Sequence, residues 1–159
     1  MRQHMEHSNR PVRILVSACL LGEKVRYDGG HKRDLLLMET LGPFVEWIRV
    51  CPEVDGGLPV PREAMRLVGD PGHPRLVTNK TGIDHTERME RWAKARLDEL
   101  SGVDLCGYIC KKDSPSCGME PVGAFTRMFM ERFPHLPVEE EGRRADPMRW
   151  EKFIQRIKA

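Results

Sequence analysis

No apolar run in this sequence approaches the roughly 20 residues that a membrane-spanning helix needs, so a helical span of the bilayer is excluded. There is no CxxC pair, so the short paired spacing of a closed zinc site is missing, and the CxxxCxxC triplet of radical-type clusters is missing too. A GxxxxGK loop followed by Ser or Thr is absent, which argues against an ATP-cradling turn. Net charge is only +2 and the basic residues are interspersed with acidic ones, so there is no strong nucleic-acid signal. Met1 to Arg10 lack the apolar middle of a secretory signal and read, within residues 1–11, as a flexible tail. No repeat or low-complexity tract divides the rest, so one domain is expected over 12–159.

What is present suits a soluble globular domain: 159 residues, 40% hydrophobic and 31% charged. A chain of this size buries roughly two-thirds of its unfolded surface, enough for one core. Five cysteines without an export signal imply a reducing, cytoplasmic setting, where thiols serve as metal ligands or catalysts more often than as disulfides. A small molecule is the expected substrate class.

Strands and helices alternate along the chain. Arg13 to Ala18 (RILVSA) is short, β-branched and apolar, as a strand buried on both faces should be. After the Asp28-Gly29-Gly30 turn, Asp34 to Leu41 predicts a short helix with Leu35, Leu36 and Met38 available for burial. Phe44 to Val50 reads as a second strand, with an amphipathic helix the alternative. Residues 54 to 82 read as loop, with a strand or hairpin near Arg75 to Thr78. His85 to Leu100 has helical spacing of Met89, Trp92, Ala93, Leu97 and Leu100, with Asp84 and Glu87 forming a capping box. A third strand, Val103 to Lys111, precedes the Asp113 to Gly118 loop, a helix from Pro121 to Phe133 and a short strand from Leu136 to Glu139. The last helix opens on Asp146 as N-cap with Pro147 behind it. The expected fold is α/β: a single Rossmann-like domain with a mostly parallel sheet flanked by helices.

Cys19, Cys51 and Cys117 each follow a predicted strand, and ligand sites in parallel sheets form outside the C-terminal strand ends. The three thiols are therefore expected to converge. Cys106 and Cys110 fall within the third strand, four residues apart, which places them on one face roughly 13 Å from each other. They read as small buried hydrophobes. Three thiolates suit an iron–sulfur cubane with one iron left open as a Lewis acid. Spacing alone favours the plainer reading of three unrelated cysteines at strand ends.

The segments Ser17-Ala18-Cys19-Leu20-Leu21-Gly22 with Tyr27-Asp28-Gly29-Gly30, Cys51-Pro52-Glu53 with Gly57-Leu58 and Pro61-Arg62-Glu63, and Ser114-Pro115-Ser116-Cys117-Gly118 resemble the thiouracil desulfurase family. The likeness spans about residues 12 to 145, and three motifs in order are far more specific than any one. It implies a 4Fe-4S cluster on Cys19, Cys51 and Cys117, with Glu53 and Ser114 as the catalytic pair. It also implies a thiolated pyrimidine base or nucleoside as substrate, losing its thiocarbonyl sulfur without net redox change. Pro134 to Arg143 looks like the desulfurase module of longer relatives that carry a second, mostly helical domain. Lys111-Lys112-Asp113 and Cys110 depart from the family pattern.

Glu53 is expected to deliver or take a proton, or else simply to pair with Arg62. Ser114 orients water or relays a proton, or forms a turn before Pro115. Tyr27, Asp28, Arg62 and Lys112 are candidates for orienting the base, because a planar heterocycle needs polar contacts at its edge. Gly118, before the Pro121 helix, either lets backbone amides approach an anionic ligand or makes a tight turn. Two other readings remain: sulfur insertion into a nucleoside or transfer RNA through the same open iron, and a non-catalytic cluster-bearing domain.

Overall fold

A computed structural model of the chain describes residues 11–158, so all of the expected tail except Pro11 lies outside the described residues. In chain order the elements are β1 (Val12–Ser17), α1 (Leu35–Thr40), β2 (Val45–Val50), α2 (Pro52–Asp55), β3 (Met65–Val68) and β4 (Arg75–Thr78). They continue with α3 (Thr86–Leu100), β5 (Leu105–Cys110), α4 (Ala124–Arg132), β6 (Val138–Glu140) and α5 (Pro147–Lys158). Four strands form a sheet in the order β2-β1-β5-β6, with every pair parallel. β3 and β4 form a separate antiparallel hairpin inside the segment read as loop. No helix among the described residues is long and apolar enough to cross a membrane.

β1 lies inside the sheet, and Ile14, Leu15 and Val16 are fully buried, as a continuous apolar run requires when both faces are covered. On one face Leu15 and Tyr108 pack against Met89, Ala93 and Leu97 of α3 and Phe125 and Phe129 of α4. On the other, Ile14, Val16 and Ile109 meet Leu37 of α1 and Phe153 and Ile157 of α5. Helices thus cover both faces of a parallel sheet, which is the expected Rossmann-like α/β class. The chain leaves β1 for β2 on one side and later returns to β5 on the other. Strand order reverses between β1 and β5, and a ligand crevice is expected outside their C-terminal ends.

Several local expectations are corrected. Asp34 caps α1 by accepting the Leu37 N–H at 3.0 Å, and this phase turns Leu37 inward. Leu35 and Leu36 consequently stay 54% and 55% exposed, and Met38 is half-buried. The capping box does not form: Asp84 accepts the Thr86 N–H, and the Asp84 and Glu87 carboxylates both converge on the Arg75 guanidinium. Asp146 does cap α5, accepting the Arg149 N–H at 3.3 Å. Cys106 and Cys110 do not share a face. The β1–β5 register slips between Arg13↔Leu105 and Ile14↔Gly107, so a bulge at Cys106 reverses the alternation there. Cys106 packs on the Ile14 side, and Cys110 lies in the opposite core beside Cys117.

Candidate active site

Three loops leave the C-terminal ends of β1, β2 and β5 and enclose a cavity of about 780 Å³. Cys19 sits in a 3-10 turn, Ala18–Leu21, in which the Cys19 carbonyl accepts the N–H groups of Gly22 and Lys32. Cys51 is the N-cap of α2, and its N–H is held at 3.0 Å by Asp55, itself fixed by Arg49 at 2.8 Å. Cys117 follows the Ser114-Pro115 turn; its N–H donates to Ser114 Oγ at 3.1 Å, and its carbonyl accepts from Thr126 at 2.6 Å. All three line the cavity, so the expected convergence is what the structure shows. Cys110 does not line it.

Burial pushes the Cys51 thiol up to about 11 and the Cys117 thiol up to about 12. Burial also raises Cys19, against the opposing pull of Arg26 and Lys111. Without a cation, these groups are neutral thiols at pH 7, and ionising one disfavours the next. Among the described residues no three His, Cys, Asp or Glu side chains close on one point as ligands of a single ion. The thiols instead stand around a larger space. Their donor chemistry fits a multi-iron group held at separate corners, a type of centre that thiolates characteristically bind.

Glu53, on α2, reaches the same cavity. Its Oε1 accepts from Arg62 Nε at 2.8 Å and its Oε2 from Ser116 Oγ at 2.8 Å. Arg62 and Glu53 side chains are only 7% and 13% exposed, and Arg62 also donates to the Val25 and Pro59 carbonyls. The Arg62 pairing considered from the sequence is therefore present, and it holds the carboxylate in place. Each carboxylate oxygen keeps a second lone pair that can accept a proton or water.

Ser114, Tyr27 and Lys112 also line the cavity, whereas Asp28 stands outside that lining and accepts the Gly30 N–H at 2.9 Å to hold its turn. Ser114 Oγ accepts two backbone N–H groups, from Ser116 and Cys117, and still has a hydrogen to donate. Gly118 does not open an anion site at a helix N-terminus. α4 begins at Ala124, later than Pro121, and its first N–H groups are taken by the carbonyls of Pro115 and Ser116.

Sequence reasoning missed Ser116, Lys111 and Glu141. The SPSCG motif offers two serines, and only the three-dimensional turn shows that the second reaches Glu53. Lys111 is 9% exposed, paired with Glu141 at 3.2 Å across the cavity wall. The run Glu139-Glu140-Glu141 is buried because each carboxylate has its own partner. Glu139 binds Arg149, Glu140 accepts the Met119 N–H, and Glu141 accepts the Lys112 N–H. Two of the three thereby brace the loop that carries Cys117 on both sides.

A Cβ at Gly123 would lie 2.4 Å from the Ser116 carbonyl carbon and 2.6 Å from the Cys117 nitrogen. Backbone cannot yield at such distances, so Gly123→Ala is expected to displace this loop and destabilise the cluster-free protein by about 1–3 kcal/mol, measured as a lowered Tm.

The profile of the 2-thiouracil desulfurase family matches residues 14–141. The uncharacterized protein YbbK of Bacillus subtilis (strain 168) is 32% identical over 110 residues, covering 66% of this chain and 72% of YbbK. Among solved structures, the [4Fe-4S]-dependent thiouracil desulfidase TudS aligns with a TM-score of 0.65 and 33% identity over 82% of this chain and 91% of its own. The matched segment runs from β1 through the third buried glutamate, so it contains all three cysteine loops and the braces behind them. The chain belongs to the 2-thiouracil desulfurase family of enzymes.

Proposed function

We propose that this protein is a 4Fe-4S-dependent desulfidase that hydrolyses the thiocarbonyl of a thiolated pyrimidine of the 2- or 4-thiouracil type. Water supplies the oxygen of the product base, sulfur leaves as sulfide, and oxidation states do not change. The observation that carries this reading is the meeting of three buried, free thiols with a locked carboxylate in one cavity. The family match and the name of the TudS neighbour support it.

Cys19, Cys51 and Cys117 would hold the cluster, which supplies a Lewis-acidic iron without a protein thiolate for the substrate's sulfur. Glu53, fixed by Arg62 and Ser116, accepts a proton from the attacking water and returns it to the departing sulfur. The Ser114 hydroxyl, anchored by two backbone donors, orients that water. Tyr27 and Lys112 present polar groups to the edge of the base from the cavity wall. Arg62, with donors committed to Glu53 and two carbonyls, acts mainly by holding the carboxylate. Asp28 enters this scheme only through the Tyr27 turn that it stabilises. The five free thiols support a reducing, cytoplasmic setting.

The test is anaerobic reconstitution with iron and sulfide, removal of the excess, and addition of 2-thiouracil or 4-thiouracil. Loss of the thiocarbonyl absorbance with matching sulfide release is the expected result. A protein that loads its cluster but turns over neither base would overturn the substrate class.

A further inference from the structure

Tyr108 of β5 is completely buried, with its ring edge-on to Phe125 at 5.9 Å and tilted against Phe129 at 5.0 Å. For that packing a phenylalanine would serve as well. The phenolic hydroxyl nevertheless sits in this apolar core close to the Cys117 sulfur and the Thr126 hydroxyl, with no hydrogen bond of ordinary geometry to either. Buried hydroxyls are usually partnered, so an orphan of this kind needs a reason. Its foremost electrostatic neighbour is the Cys117 sulfur. Cys110 and Thr126 are its other polar neighbours; the Cys110 thiol donates to the Glu139 carbonyl at 3.5 Å and the Thr126 hydroxyl to the Cys117 carbonyl at 2.6 Å. On the cavity side of the same sulfur lies Ser17, whose Oγ accepts the Lys111 N–H at 3.0 Å.

A neutral thiol is a weak acceptor, whereas a thiolate is a strong one. The orphaned hydroxyl is therefore matched to a charged form of Cys117 that the free thiol does not provide. Hydrogen bonds to ligand sulfurs orient the ligand, strengthen its hold and set the potential of an iron–sulfur centre. We propose that Tyr108 is a positioning residue for the cluster: its hydroxyl donates to the Cys117 sulfur when that sulfur is an iron ligand, and so it stabilises the loaded protein specifically. The proposal rests on the cluster reading above. It assigns Tyr108 no contact with substrate.

The experiment compares wild type with Tyr108→Phe in both cluster-free and reconstituted forms. Removing an unsatisfied buried hydroxyl leaves the Tm of the cluster-free variant unchanged or raises it. The reconstituted variant loses iron to a chelator roughly 10-fold faster. Its midpoint potential moves to a more negative value, and the Fe–S(Cys) stretching band in the resonance Raman spectrum shifts. Iron retention, potential and Raman bands equal to wild type would overturn the proposal. So would a fall in the Tm of the cluster-free variant large enough to account for the faster loss, since Tyr108 would then act by packing alone. Wild type that assembles no cluster would instead overturn the function on which the proposal rests.

Discussion

Cys117→Ala is expected to eliminate both cluster loading and turnover. The loop that carries this residue is held by backbone and by other side chains: Ser114 Oγ accepts the Ser116 and Cys117 N–H groups, Gly118 donates to the Ser114 carbonyl, and Thr126 donates to the Cys117 carbonyl. None of these uses the Cys117 sulfur. Alanine therefore leaves the loop in place at a stability cost of about 1 kcal/mol, the ordinary effect of a point change. What disappears is one of the three thiolates in the cavity, and the remaining two cannot anchor the same group. Iron content, visible absorbance and sulfide release should fall together, while the Tm of the cluster-free protein changes little. Cys110→Ala is the matched control. Its thiol is buried in the adjoining core, donates to the Glu139 carbonyl at 3.5 Å and does not line the cavity, so loading and turnover should persist. A Cys117→Ala protein that still loads and turns over would remove this residue from the ligand set.

Loss of the Glu53 carboxylate should reduce kcat by about 10² to 10⁴, the usual contribution of a positioned acid–base group, with cluster absorbance intact. The structure determines which substitution tests this cleanly. Glu53→Ala would strand the Arg62 guanidinium, whose side chain is 7% exposed. Removing one partner of a buried pair typically costs about 3–5 kcal/mol, so that variant mixes chemistry with unfolding. Glu53→Gln keeps an acceptor for Arg62 and removes the base. Ser116→Ala should lower kcat by a smaller factor at unchanged KM, because its hydroxyl acts through Glu53 Oε2. In the Glu53→Gln background it should have no further effect on kcat; a full additional loss would show that Ser116 acts independently of the carboxylate. Equal loss of absorbance and activity in Glu53→Gln would make Glu53 structural.

Much of the fold was legible because its elements are locally encoded. The apolar run before Cys19 is a strand buried on both faces, and the Met89, Ala93, Leu97 and Leu100 spacing is the inward stripe of α3. Asp146 caps the last helix as its position ahead of Pro147 indicates. Errors arose where a local rule met a distant partner. Arg75 on β4 drew Glu87 away from the helix terminus, and pairing with β1 introduced the bulge that turned Cys106 to the opposite face. The short hairpin within residues 54 to 82 was only partly visible, because β3 has a weak alternating pattern and is defined by pairing with β4.

The sequence by itself determined the alternation of strands and helices, the placement of Cys19, Cys51 and Cys117 beyond strand ends, and the motif set that marks the family. Periodicity, caps and turn residues are properties of neighbours along the chain, so they can be read without knowing the fold. Only the tertiary structure decided that the three thiols share one cavity, that Ser116 holds Glu53, and that Glu140 and Glu141 brace the Cys117 loop. Those relations depend on strand order and register, which bring together groups as far apart as Cys19 and Cys117 through contacts that no local pattern specifies.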